Sequence, residues 1–127
     1  MSGATYDTGA LIAGDRNDRA KWALHAGFLG EEVVVTVPSP VVAEAWRSGS
    51  RQANLSRLLA AYDIEELSYV QSRAVGVLAG KARHDDIVDV AVVEGALRRR
   101  DAGVTSNLSH IVTIADAVHA RLNIETV

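Results

Sequence analysis

Short extended runs alternate with longer stretches of helical spacing along this chain, and that order limits the fold more than any other feature. Ala4 to Tyr6 forms a first short run that ends at Asp7. Val33 to Val37 is β-branched throughout and reads as a buried strand, broken by Pro38 and Pro40. Ile64 to Leu67 is a weaker run, Gly103 to Thr105 a short one, and Asn123 to Val127 the last. Between them lie expected helices over Asp18 to Leu29, Asn54 to Tyr62, Ser68 to Leu78, Asp86 to Arg100 and Leu108 to Ala120. A further helix begins with Pro40 in its first turn and runs to about Ser48. Asp18, Ser39 and Ser68 stand where N-caps belong. Strands alternating with helices imply a parallel sheet covered on both faces, so the expected class is α/β, a three-layer α/β/α domain.

The length of 127 residues suits one domain with one core. No repeat, linker or low-complexity tract divides it. Hydrophobic residues at 48% leave enough apolar surface to bury a sheet, while no apolar run approaches the roughly 20 residues of a membrane helix. The opening residues show no basic segment ahead of an apolar one, so no targeting signal is expected. The absence of cysteine rules out disulfides and thiolate-bound zinc and suits a cytoplasmic protein. A net charge of -3 weighs against a uniformly basic nucleic-acid surface. The arginines are bunched, however: Arg47, Arg51 and Arg57 in one stretch and Arg98, Arg99 and Arg100 in another. The second group closes a helix, where cations suit the dipole, and is expected to be solvated.

In open parallel sheets, ligands bind beyond the carboxyl ends of the strands, near a switch in strand order. Asp7 directly follows the first strand and Asn107 the fourth. Helices leaving that rim can bring Glu44 and Asp89 to it. Clustered carboxylates repel one another and resist ionisation together. Hard cations such as Mg²⁺ or Mn²⁺ resolve that conflict, because they take oxygen ligands. Taken singly, Asp7 could end a strand in an Asx-turn, Glu44 could lie on a surface helix, Asp86 and Asp89 could serve a helix N-terminus, and Asn107 could sit in a turn.

Four segments together carry a resemblance. Tyr6-Asp7-Thr8-Gly9-Ala10-Leu11-Ile12 resembles the opening motif of PIN-domain ribonucleases. Pro38-Ser39-Pro40-Val41-Val42-Ala43-Glu44 is similar to the second motif, Asp86-Ile87-Val88-Asp89-Val90-Ala91 to the third, and Val104-Thr105-Ser106-Asn107-Leu108-Ser109-His110 to the fourth. The resemblance implies a five-stranded parallel sheet between helices and RNA cleavage dependent on Mg²⁺ or Mn²⁺. For a stand-alone domain of this size it implies the VapC type, the toxin of a bacterial toxin–antitoxin pair. A small antitoxin partner and homodimers are then expected. It carries Asp7, Glu44 and Asp89 over as metal ligands and catalytic residues, with Asp86 as an outer member. Asn107 stands where Asp is commoner in the family and brings an amide oxygen without charge. Thr8 and Thr105 are expected to steady the carboxylates or a water, and Arg47 and Arg51 to meet substrate phosphates. His110 is read as a surface histidine that could also touch substrate.

Other classes remain. A PIN-fold module acting through protein partners, with weak catalysis, is favoured by Asn107. Asp7-Thr8-Gly9-Ala10 also spells the tetrad of retroviral-type aspartic proteases, which are all-β dimers. A phosphatase with Asp7 as nucleophile would want a second Asp where Gly9 stands.

Overall fold

A computed structural model describes residues 3–15, 19–47 and 52–127. The strands are β1 (Ala4–Tyr6), β2 (Val35–Pro38), β3 (Asp63–Glu65), β4 (Ala102–Thr105) and β5 (Ile124–Thr126). The helices are α1 (Thr8–Asp15), α2 (Arg19–Gly30), α3 (Ser39–Ala45), α4 (Ala53–Ala61), α5 (Tyr69–Ala82), α6 (Ile87–Arg99) and α7 (Leu108–Asp116). All strand pairs are parallel, in the order β3-β2-β1-β4-β5. The chain therefore winds outward from β1 to β3, then crosses back to add β4 and β5 on the other side. The switch in direction falls between β1 and β4. The expected three-layer parallel class is what the chain adopts.

Alternation along β1 divides the core between the two faces. Tyr6 packs edge-on against Tyr62, with ring centroids 5.1 Å apart, and tilts toward Phe28 of α2. The Tyr62 hydroxyl lies 2.7 Å from His25 Nδ1, so the polar tips on this face are engaged with one another. Thr5 points the other way, toward α6, and is fully buried. Helix α6 is the most deeply buried helix, with Val90, Ala91, Val92, Val93, Gly95 and Ala96 all inside. It packs across β1, β2 and β4 and between α5 and α7.

Several expectations are corrected. Helix α1 was not foreseen: its sequence, TGALIAGD, is apolar nearly all round and carries two glycines, so it shows no helical stripe. The strand expected from Val33 begins at Val35, because Glu32 turns with φ 59° and the Val33 amide donates to the Phe28 carbonyl at the end of α2. The weak third run shifts to Asp63–Glu65. Ser39 does not cap α3. Pro38 takes that position without a side-chain bond, and Ser39 Oγ instead accepts the Leu67 amide at 3.1 Å, tying the loop after β3 to the rim. Ser68, by contrast, caps α5 in a reciprocal box with Gln71. Helix α7 ends at Asp116, since the chain turns with His119 at φ 54°. Asp18, Ser48 and Arg51 lie outside the described residues.

Of the arginines closing α6, Arg98 and Arg100 are exposed as expected, but Arg98 and the partly buried Arg99 are also engaged in ion pairs. Arg98 pairs with Glu94 at 2.9 Å and Glu65 at 2.5 Å. Arg99 pairs with Glu65 at 2.7 Å and Asp101 at 3.0 Å, and also donates to Thr5 Oγ1. Asp101 is buried, and its remaining acceptor capacity takes the Gly3 amide and the Thr5 hydroxyl. Gly95 makes this possible, because a Cβ there would sit 2.7 Å from the Arg99 guanidinium. The cluster bolts the end of α6 to β1, β3 and the start of β4.

Candidate metal centre

Register places the centre of the site. Tyr6 lies opposite Val104, so one residue further on Asp7 comes level with Thr105 on the face that carries Thr5. Asp7 keeps the ladder going by donating its amide to the Val104 carbonyl. Its carboxylate is only 3% exposed. Oδ1 accepts the Ala10 amide at 2.8 Å, and Oδ2 accepts the Thr105 hydroxyl. The Ser106 backbone also favours its ionised form, more weakly. Thr105 Oγ1 in turn accepts the Asn107 amide at 2.8 Å, which leaves its proton for Asp7. Burial pushes the Asp7 carboxyl above its ordinary range, and the negative charge of Asp89 pushes the same way, against these bonds.

Gly9 holds α1 against this strand end. A Cβ there would fall 1.7 Å from Ser106 Oγ, so the β4 loop and the first turn of α1 meet only because the side chain is missing. Thr8, the first residue of α1, donates to Glu44 Oε1 at 2.5 Å. That contact draws an exposed carboxylate on α3 to the residue beside Asp7.

The start of α6 completes the rim. Asp86 is the N-cap, with Oδ1 accepting the amides of Val88 and Asp89 at 3.1 and 3.2 Å. Asp89 lies in the first turn, half-buried, and burial raises its carboxyl, as does the adjacent charge of Asp86. Its Oδ2 lies 3.0 Å from His110 Nδ1, which opposes that rise. Asn107 begins α7, and its side-chain oxygen accepts the Ser109 hydroxyl at 3.3 Å. Arg47 folds back to donate to the Trp46 and Ala43 carbonyls at the end of α3, so its guanidinium serves that helix end. Among the described residues, no lysine or arginine pairs with Asp7, Glu44 or Asp89.

Asp7, Glu44 and Asp89 thus stand on elements that reach the same rim, with Asn107 and Thr105 from the neighbouring strand, but their carboxylate oxygens do not all come within 4.8 Å of one another; among the described residues only His84, Asp89 and His110 do so. His84 was not foreseen. It sits in the turn before α6, and one ligand atom each from His84, Asp89 and His110 lies within 4.8 Å of the others. No sequence signal marks it, because its partner His110 lies on a different helix. The aspartic-protease reading is overturned by the fold: Thr8 opens a helix, and the sheet is wholly parallel.

The sheet order, the covering helices and the rim define a PIN-like α/β/α domain. The chain is similar over 98% of its length to 98% of a chain in a solved structure of VapBC2 from Rickettsia felis bound to a DNA fragment from its promoter, with a TM-score of 0.75 and 15% identity. No protein-family model and no curated protein matches the chain in sequence. Among the described residues, no helix is long and apolar enough to cross a membrane.

Proposed function

We propose that this chain is a metal-dependent endoribonuclease of the VapC toxin type, restrained in the cytoplasm by a small antitoxin. The observation that carries the reading is Asp7. It is a buried carboxylate, held by the Ala10 amide and the Thr105 hydroxyl, under the field of Asp89, with no cationic side chain paired with it among the described residues. An all-oxygen donor set of that charge suits Mg²⁺ or Mn²⁺. Asp7, Glu44 and Asp89 are the residues that would hold the ion, with Asp86 adding charge behind Asp89. When bound, such a cation lowers the pKa of water and offsets charge on a phosphate oxygen.

The rest falls to the chain. Thr105 and the Ala10 amide hold Asp7 in one orientation, and Thr8 does the same for Glu44. Asn107 offers an amide oxygen for a water or a sugar hydroxyl. Arg47 would have to leave the Trp46 and Ala43 carbonyls to meet an RNA phosphate, and Arg51, outside the described residues, is the other arginine expected to do so. A second reading, a module acting through protein partners with weak catalysis, is favoured by one observation: Asn107 leaves the rim one charge short. A homodimer or a complex with the antitoxin fits either reading.

Purified protein with Mn²⁺ and labelled RNA separates them. Cleavage lost in EDTA, in Asp7→Ala and in Asp89→Asn, with the fold intact by circular dichroism, supports the enzyme. Full activity in Asp7→Ala would show the site to be wrongly assigned. No cleavage of any RNA by the wild type, together with tight binding to the product of a neighbouring gene, would favour the partner module. Growth arrest on expression, relieved by that neighbour, would identify the toxin.

A further inference from the structure

Beside the carboxylate rim lies a group of different chemistry. His84 precedes α6, Asp89 occupies its first turn, and His110 projects from the first turn of α7. One ligand atom from each lies within 4.8 Å of the other two. His110 Nδ1 is 3.0 Å from Asp89 Oδ2, and the two imidazoles meet edge-on with centroids 5.2 Å apart. His84 Nδ1 accepts the Asp86 amide at 3.3 Å, a long contact at an exposed turn. That bond orients the ring and yields readily to a stronger partner.

We propose that His84, Asp89 and His110 form a binding site for a borderline transition-metal cation, Zn²⁺ in the first instance, that shares Asp89 with the carboxylate rim. Imidazole nitrogen suits Zn²⁺ and is a poor ligand for Mg²⁺. Two histidines and one carboxylate, with the fourth position left to water, make an accepted open zinc set. A tetrahedral ion with bonds of about 2.1 Å holds its ligand atoms about 3.4 Å apart. The His110–Asp89 pair already stands that close, so His84 has to approach by at most about 1.4 Å. The His110 side chain is 48% exposed, which leaves both the freedom to adjust and an open path for the ion. Asp86 adds negative charge behind Asp89.

The consequence follows from the shared carboxylate. Asp89 also acts on Asp7 through space. A cation held by the histidines draws the Asp89 carboxylate onto itself and reduces the negative potential at the rim. Zn²⁺ at this site therefore weakens Mg²⁺ or Mn²⁺ binding there, a regulatory effect that rests on the proposed function, whereas the zinc site itself does not.

Zn²⁺ titration by calorimetry at neutral pH tests the site, with Co²⁺ absorption as a readout of coordination number. The wild type, His84→Ala, His110→Ala and Asp7→Asn are compared, each checked for its fold by circular dichroism. The expected result is one Zn²⁺ per chain, an affinity about tenfold or more weaker in each histidine variant, and little change in Asp7→Asn. Retained affinity in His84→Ala or His110→Ala overturns the proposal, as does the absence of Zn²⁺ binding. Equal loss in Asp7→Asn also overturns it, because the ion would then belong to the carboxylate rim. RNA cleavage in Mn²⁺ without Zn²⁺ is scored separately, so failure of the nuclease reading leaves the zinc result standing.

Discussion

Replacing Thr105 by valine removes a single hydroxyl from the interior at nearly constant shape. Thr105 is 1% exposed, so no bulk water takes the hydroxyl's place. Two bonds are lost: the donor to the Asp7 carboxylate and the acceptor of the Asn107 amide. A hydrogen bond to a charged group contributes about 1.5–3 kcal/mol, and a partly buried amide left without its acceptor costs about 1 kcal/mol more. The expected loss at neutral pH is therefore about 3 kcal/mol. For a domain of this size that lowers Tm by roughly 10 °C. The sign with pH is fixed as well. The Thr105 bond favours the ionised form of Asp7, so without it the Asp7 carboxyl rises further above its ordinary range. The variant then binds its proton at higher pH than the wild type does, and the penalty shrinks as pH falls and Asp7 is neutralised. Urea unfolding in EDTA at neutral and at acid pH measures both values, with Thr105→Ser as the control that keeps the hydroxyl. A loss below about 0.5 kcal/mol at neutral pH, or a loss that grows in acid, would refute the claim that Thr105 holds an ionised Asp7.

Three further outcomes are expected. Asp7→Asn in EDTA is more stable than the wild type at neutral pH. Burial raises the Asp7 carboxyl, so its ionisation costs stability above its folded pKa and nothing below its unfolded one; the gain should fade as the pH of the melting scans is lowered. Gly9→Ala, which in an ordinary helix interior gains about 0.5–1 kcal/mol, is destabilising here because Ser106 Oγ occupies the Cβ position, and Ser106→Gly in the same chain restores it; a stabilised single variant in thermal melts would count against the contact. Arg99→Met leaves Asp101 buried without its cation and costs about 3 kcal/mol in urea unfolding, and the same change together with Asp101→Asn recovers most of the loss.

What the sequence disclosed and what it concealed have separate physical causes. Alternating β-branched runs and helical stretches specify a parallel sheet, because each reports which side of an element is buried. Asp7 was legible because it ends a strand, and Glu44 and Asp89 because helices leaving or reaching the same rim carry them. Helix α1 was hidden since a short helix buried on most sides has no polar stripe to betray its period. Ser39 was misread because its local bond to the helix start competes with one to Leu67, which lies 28 residues on. The run Arg98 to Arg100 resembles a solvated helix end when read alone. Its partners Glu65, Thr5 and Asp101 come from three other strands or strand ends, which only the sheet order brings within reach. His84 and His110 met for the same reason.

Two aspartates in this chain are buried to nearly the same degree, Asp7 at 3% and Asp101 at 7%, and their surroundings differ in one respect. Each accepts a backbone amide and a threonine hydroxyl. Asp101 also receives the Arg99 guanidinium, so its charge is balanced within the chain. Asp7 receives no guanidinium among the described residues, and the charge of Asp89 raises its carboxyl further. The Ala10 amide and the Thr105 hydroxyl both donate to Asp7, and such bonds favour its ionised form. Burial and the charge of Asp89 oppose that form. Arg99 shows that the fold can supply a cation where the structure alone requires it. At Asp7 no such cation comes from the described residues, and on the proposed reading a cation from solution would take that position.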